Sequence, residues 1–144
     1  MKRVAIAVAL SLLVFAAGLS AESPYEVRAI VSPAAATAWV YSHIRYDYQE
    51  LSYDRCLIQS PLLTLHRRAG VCVDMALLEV AMLAKAGVTA VAVSSVVQDH
   101  MIVYCGGRYW DPTIGRCLGS SCPFPDPKVW TLADLREIQE GWIP

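Results

Sequence analysis

Three side chains that can do nucleophilic chemistry together occur in the order cysteine, histidine, aspartate, at Cys72, His100 and Asp111. Cys72 opens an apolar run, CVDMALLEVAMLAKA, that predicts a buried helix. A thiol in the first turn of a helix lies at the positive end of the helix dipole and beside unpaired backbone N–H groups, and both favour the thiolate. Since residues 69 to 72 include no Ser, Thr, Asp or Asn, the sulfur can itself take the capping position. The alternative is that Cys72 is a small core residue, the usual role of a buried free cysteine.

The register of a predicted β-hairpin decides whether His100 and Asp111 can meet. The runs HMIVYC and RYWD flank Gly106-Gly107, which is typical of a two-residue hairpin turn. In that register Ile102 lies opposite Asp111, so His100 and Asp111 are diagonal neighbours with backbones about 7 to 8 Å apart. We expect one sheet face to carry His100, Ile102, Tyr104, Tyr109, Asp111 and Thr113, and the other to carry Met101, Val103, Cys105, Arg108 and Trp110.

Together the histidine and the aspartate would supply the base that a cysteine nucleophile needs. A carboxylate held against one ring nitrogen fixes the tautomer and stabilises the imidazolium, while the other nitrogen faces the nucleophile. We expect the sheet face of His100 and Asp111 to face the apolar helix that begins at Cys72, where ionisable groups indicate an active site. Taken singly, His100 could be a surface histidine at a strand start and Asp111 a turn residue before Pro112.

The elements that must position these residues have recognisable start and stop signals. Two Ser-Pro pairs, at residues 32 and 60, each predict an N-cap followed by proline at the first helical position. We expect a helix from residue 33 to about 46, a loop, a short helix closed by Gly70, the buried helix from 72 to about 86 and strands before and after residue 99. A Gly-, Ser- and Pro-rich loop follows residue 112, and a last helix follows Thr131, with Asp134 as its capping partner.

The first 21 residues have the pattern of an export signal. They read MKRVAIAVALSLLVFAAGLSA, with a short basic start, an apolar run and then small residues. The apolar run is shorter than the roughly 20 residues of a membrane-spanning helix, so we expect cleavage rather than anchoring. An uncleaved signal that serves as an anchor is the alternative. The remaining residues, 22 to 144, are enough for a single domain in the periplasm or outside the cell.

Composition excludes few partners, and charge gives no reason to propose nucleic acid or anionic lipid. The formal net charge is −1, and no run of like charges occurs. The 56% hydrophobic fraction is raised by the leader, so it does not indicate a membrane protein. Contact with a membrane is expected only through an uncleaved signal, and the oligomeric state is not indicated.

All five cysteines follow the leader. If they form disulfides in an oxidising compartment, at least one of the five must remain unpaired. If Cys72 is catalytic, the remaining four can form two disulfides in any of three pairings: Cys56, Cys105, Cys117 and Cys122. A zinc site is the alternative use of Cys117 and Cys122, although no second matching pair occurs. A thiol-disulfide oxidoreductase would have C-x-x-C, which is absent.

The residues around the three candidates resemble a known family. GVCVDMALLEVAMLAKAGV, VAV and DHMIVYCGGRYWDPT, with IRYDY ahead of them, are similar to the transglutaminase-like superfamily of cysteine enzymes. The likeness covers roughly residues 37 to 113. It implies a papain-like α+β fold, with the helix of Cys72 packed on a small antiparallel sheet. It also implies Cys72 as nucleophile, His100 as base and Asp111 as the orienting acid.

Two features depart from the family pattern. Ile102 stands two residues after the histidine, where many relatives have an aromatic residue. The side chain that helps to bind the oxyanion is not evident, although the backbone N–H of Cys72 is one donor and Gln59 or Tyr46 could be a second.

The combined expectation is an exported cysteine hydrolase, peptidase or amidase, or an acyltransferase, that works through a thioester intermediate. Its substrate would be a peptide or protein, and no metal or organic cofactor is implied. The alternative is a non-catalytic binding or assembly module of the cell envelope with the same fold.

Overall fold

The structure, a computed structural model, describes residues 27–49 and 58–135. The predicted signal at residues 1–21, Cys56 and the part of the predicted last helix beyond residue 135 lie outside the described residues. In the described part of the chain, no helix is long and apolar enough to cross a bilayer. The elements, in chain order, are α1 (Pro33–His43), β1 (Arg45–Tyr46), α2 (Pro61–Arg67), β2 (Ala69–Gly70), α3 (Cys72–Lys85), β3 (Ala90–Ser95), β4 (His100–Cys105), β5 (Arg108–Asp111), β6 (Arg116–Gly119) and β7 (Lys128–Trp130).

The Ser-Pro pairs begin α1 and α2 as predicted. The hydroxyl oxygen of each serine accepts a backbone N–H three residues on, at 3.4 Å for Ser32 and 3.2 Å for Ser60. At the other end of the chain, Thr131 and Asp134 form the expected reciprocal cap: the Asp134 carboxylate accepts the Thr131 N–H at 2.7 Å, and the Thr131 hydroxyl accepts the Asp134 N–H at 3.2 Å. Local capping signals therefore predict where these helices start.

The ends of α1 and α2 differ from the prediction because a small parallel sheet forms between them. Residues 45 and 46 were predicted as helix, but they form β1, which pairs with β2. Arg68, rather than Gly70, takes the left-handed conformation that ends α2, with φ of 51°. Gly70 is needed for a different reason, since a Cβ there would lie 2.7 Å from the Cβ of Asp74. The β1–β2 pair brings the residues before α3 beside Tyr46.

Five antiparallel strands form the main sheet, in the order β6-β5-β4-β3-β7. Gly106 and Gly107, with φ of 60° and 76°, make the predicted two-residue turn. Cys105 faces Arg108 and Val103 faces Trp110, so the predicted register is confirmed. The prediction of a loop after residue 112 is wrong for β6 and β7. Both are edge strands of only three or four residues. Strands this short give too little alternation to be recognised among Gly, Ser and Pro residues.

The expected orientation of the sheet relative to α3 is also wrong. The face of Met101, Val103 and Cys105 is the one that shares a hydrophobic core with α3. Ile102, on the other face, packs with Phe124 from the segment after β6. Residues 101 to 103 are all buried, so β4 is covered on both faces. Alternation in the sequence assigns residues to two faces but does not say which of two apolar faces meets the helix.

A buried acid, Glu79, joins α1 to α3. It lies about two turns after Cys72. Its side chain is fully buried, and its Oε1 accepts a hydrogen bond of 2.7 Å from the hydroxyl of Thr37. Its Oε2 has no partner among the residues that the structure describes. Burial raises the pKa of Glu79 to about 8; the Thr37 hydroxyl opposes this shift and repulsion by Asp111 adds to it. At neutral pH the folded protein therefore holds this carboxyl in its neutral form.

The Glu79→Gln variant should become more stable than the wild type as the pH rises. A folded pKa of about 8 against an ordinary value of 4.5 means that the contribution of Glu79 to stability is fully present below pH 4.5 and is lost as the pH rises through 8. Glutamine can still accept the Thr37 hydrogen bond and does not titrate. We expect the difference in unfolding free energy between variant and wild type, measured with urea, to shift by on the order of 3 kcal/mol in favour of the variant between pH 5 and pH 9.

The exposed acid Asp99 provides the matched control, since Asp99→Asn also removes one carboxylate and asparagine tolerates the left-handed φ of 47° at this position. Its stability should follow the wild-type dependence on pH. Parallel curves for Glu79→Gln and wild type would contradict the assignment of a neutral buried acid.

Candidate active site

Cys72, His100 and Asp111 come together because each lies at the end of its element. Cys72 is the first residue of α3, His100 the first of β4 and Asp111 the last of β5. The Nε2 atom of His100 lies 2.8 Å from Oδ2 of Asp111. The thiol of Cys72 lies close enough to the imidazole to contribute to the raised pKa of His100. With Nε2 engaged by the carboxylate, Nδ1 is the ring nitrogen left for the sulfur. The imidazole thus stands between thiol and carboxylate even though α3 covers the other face of the sheet.

Charge in the site is concentrated on the imidazole and the carboxylate. The hydrogen bond to Asp111, with a further contribution from Cys72, raises the pKa of His100 to about 10, although partial burial opposes the shift. Burial alone would raise the pKa of Asp111, but hydrogen bonds from His100 and Thr113 outweigh burial and lower it. The described geometry therefore holds an imidazolium beside the sulfur at neutral pH.

Thr113 fixes the carboxylate of Asp111. Its backbone N–H and its hydroxyl both donate to Oδ1, at 2.9 and 2.7 Å, while Oδ2 faces His100. Pro112 between them has no N–H and a restricted φ, which suits this tight turn. The role of Thr113 was not predicted. The D-P-T sequence is its signal, because an aspartate side chain commonly accepts from the backbone two residues on.

Tyr46 is the second residue at the sulfur. Its hydroxyl lies near the thiol and the backbone N–H of Cys72. Burial, with a further contribution from the neighbouring Cys72 side chain, raises the pKa of Tyr46 to about 12. The Cys72 N–H is the donor expected to face an oxyanion. Gln59 and Tyr46 were the two candidates for a second oxyanion donor, and Tyr46 is the one that lies beside Cys72. It lies there because β1 pairs with β2 just ahead of α3.

Gln59, the other side chain considered, holds the start of α3 instead. Its backbone N–H donates to Oδ1 of Asp74 at 2.8 Å, and its side-chain Nε2 donates to Oδ2 at 2.9 Å. Oδ2 of Asp74 also accepts the Val71 N–H at 3.0 Å. The expectation that the Cys72 sulfur caps the helix is therefore wrong: Val71 is the N-cap residue, and the Asp74 carboxylate reaches back to its N–H.

Phe124 supports the imidazole from the side opposite α3. Its ring meets the His100 ring edge-on, with 6.2 Å between centroids. It lies in a segment that carries no regular structure, between β6 and β7. This contact was not predicted, because a loop phenylalanine gives no signal of its partner.

The other cysteines are separate from this site. Cys72, Cys105, Cys117 and Cys122 are free thiols in the structure, so the two expected disulfides are not present among the described cysteines. Cys117 lies opposite Trp110, whereas Cys122 packs on the other face with Ile102 and Phe124, which separates the two ligands considered for zinc. Across residues 27–49 and 58–135, no group of three or more His, Cys, Asp or Glu side chains is placed to hold a metal ion.

Comparisons with known proteins agree with this fold. The structure of LapG from Legionella pneumophila matches with a TM-score of 0.55 at 15% identity, covering 76% of this chain and 76% of that one. The calcium-bound form of the same protein matches with a TM-score of 0.54 at 15% identity, covering 77% and 78%. No curated protein matches the chain. At this identity the structural matches show the shared papain-like, transglutaminase-like α+β fold.

The sequence match is to a family model described as a transglutaminase-like domain, and it covers residues 22–105. That range is more than half of the chain and includes Cys72 and His100, although it ends before Asp111. The protein belongs to the transglutaminase-like domain family.

Proposed function

We propose that the protein is a cysteine hydrolase, peptidase or amidase, or an acyltransferase, with Cys72 as its nucleophile. The observation that carries this proposal is the 2.8 Å hydrogen bond between the His100 imidazole and the Asp111 carboxylate, with the Cys72 thiol near the same imidazole. A thiol that is only a core residue needs no imidazole beside it, and a surface histidine needs no buried carboxylate.

The reaction follows from the positions of these groups. The Cys72 sulfur, beside the His100 imidazolium, attacks an amide or ester carbonyl, and the negative charge that develops on the carbonyl oxygen is stabilised by the Cys72 N–H and the Tyr46 hydroxyl. The imidazolium donates its proton to the leaving amine or alcohol as the C–N or C–O bond breaks, which leaves a thioester. His100 then accepts a proton from water or from a second amine, whose attack releases the sulfur.

The substrate class and location form part of the same proposal. Peptide bonds and glutamine side chains are the amides that a cysteine nucleophile would attack, so the substrate is a peptide or protein. The leader at residues 1–21 supports export to the periplasm or the cell exterior, with residues 22 to 144 as one domain. Hydrolysis and transamidation share every step as far as the thioester, and trapping that thioester with water or an added amine separates them.

Replacing His100 should remove most of the reactivity of Cys72. In His100→Ala, the rate of Cys72 alkylation by iodoacetamide at pH 6.5 should fall at least about tenfold, because the cation that favours the thiolate is lost. Peptide mapping by mass spectrometry gives the rate for each cysteine, with Cys117 and Cys122 as internal references. The matched control is His43→Ala, since His43 is an exposed histidine that stacks on Trp39 at the C-terminal end of α1. An unchanged Cys72 rate in His100→Ala, or faster labelling of Cys117, would instead favour a binding or assembly module.

Removing the Tyr46 hydroxyl should slow acylation but not alkylation. An oxyanion develops when Cys72 attacks p-nitrophenyl acetate, but not when it displaces iodide from iodoacetamide. In Tyr46→Phe, acylation, followed by nitrophenol release and by acetylation of Cys72 in mass spectra, should therefore slow by roughly ten- to a hundredfold, with alkylation changed much less.

The neighbouring tyrosine gives the control for this comparison. Tyr48 packs against Tyr46 with 4.8 Å between ring centroids and 51° between ring planes, and it is 76% exposed. Tyr48→Phe should leave both rates close to wild type. Equal slowing of acylation and alkylation in Tyr46→Phe would mean that Tyr46 supports the position of Cys72 and does not bind the oxyanion.

A further inference from the structure

The turn between β3 and β4 displays two valines to solvent beside the candidate active site. Val96 is 87% exposed and Val97 is 74% exposed. Tight turns usually carry Gly, Pro, Asn, Asp or Ser, whose conformations or side-chain hydrogen bonds suit them. Two adjacent β-branched apolar residues at this place gain nothing from burial within the described chain. Their side chains are therefore available to contact another molecule.

The turn is held in one conformation by the segment after β6. The Asp126 carboxylate accepts the N–H groups of Val96 and Val97, at 2.9 and 3.1 Å, and also the hydroxyl of Ser95. Gln98 donates its backbone N–H to the Ser95 hydroxyl oxygen at 3.0 Å and its side-chain amide to the Pro123 carbonyl at 3.4 Å. With the backbone held on both sides, the valine side chains are presented outward in a defined position.

The same segment connects the turn to the imidazole. Ser95, directly before the two valines, pairs across the sheet with His100, which follows the turn. Phe124, from the segment that binds the turn, lies against the His100 ring. The valines and the imidazole therefore share one support and lie at the same end of the sheet.

We propose that Val96 and Val97 are specificity-determining residues that contact the substrate and favour an apolar side chain next to the bond attacked by Cys72. This inference rests on the proposed function, because it requires a substrate at Cys72. Covering two exposed valines with an apolar group removes hydrocarbon surface from water on both partners, whereas a polar side chain there would lose hydration without gaining a partner.

Two electrophiles of nearly the same shape test the proposal. N-iodoacetyl-leucinamide and N-iodoacetyl-asparaginamide carry the same reactive group, and their side chains differ in polarity far more than in size. With the full chain, the second-order rate of Cys72 alkylation should be about fivefold higher for the leucine probe. In the Val96→Thr, Val97→Thr double variant, which keeps the branched shape, this ratio should fall close to one. The rate with iodoacetamide itself should not change, which also shows that the site remains folded.

Val129 supplies the control, because it is an exposed valine (56%) on β7 of the same sheet, away from His100. Val129→Thr should retain the preference for the leucine probe. Equal rates for the two probes in the wild type, or an unchanged preference in the double variant, would overturn the proposal. Failure of the proposed function is a separate result: iodoacetamide would then label Cys72 equally in wild type and His100→Ala.

Discussion

The hydrogen bond between His100 and Asp111 is the interaction on which the site depends. It joins the first residue of β4 to the last residue of β5, so it exists only if the hairpin has its observed register. One more or one fewer residue in the turn would send one of the two side chains to the opposite face of the sheet. The buried carboxylate and the imidazolium compensate each other, which makes it possible to keep an ion pair beside an apolar core.

The position of the sulfur depends on a second group of hydrogen bonds, centred on Asp74. This carboxylate is fully buried, and it binds the backbone of Val71, ahead of α3, and both the backbone and the side chain of Gln59. Burial raises the pKa of Asp74, and the hydrogen bonds from Val71 and Gln59 oppose that shift. Through these contacts the loop before α2 and the start of α3 are tied together, and the first residue of α3 is Cys72. Two buried carboxyl groups thus position the site: Asp74 holds the start of α3, where Cys72 lies, and Asp111 holds the imidazole of His100.

Sequence patterns that act over a few residues predicted much of this arrangement. The serine caps of α1 and α2, the length of α3 and the register of the Gly106-Gly107 hairpin all arise from local preferences, and all are present. The features that were predicted wrongly or missed depend on contacts between residues distant in sequence. The strands β1 and β2 are two residues each and exist because they pair with each other across the chain. The burial of Asp74 depends on its partner Gln59, which lies 15 residues away in sequence.

The same distinction applies to the site itself. The proximity of His100 and Asp111 could be derived from alternation along the strands, whereas the layer on which α3 packs could not, because both faces of β4 are apolar. From the sequence, Tyr46 was one of two candidates for the second oxyanion donor. Its position beside Cys72 could not be predicted, because residue 46 was expected to lie in a helix and not in β1. Its catalytic role, like those of Cys72, His100 and Asp111, is a proposal that the geometry supports.

The location of the four site residues divides them between two halves of the fold. Tyr46 and Cys72 belong to the helical half, and His100 and Asp111 belong to the hairpin. The distance between sulfur and imidazole therefore depends on how α3 packs on the sheet, and a shift too small to unfold either half can change it. Heat or mild denaturant should consequently lower the reactivity of the Cys72 thiol while spectroscopic measures of helix and sheet content remain close to native.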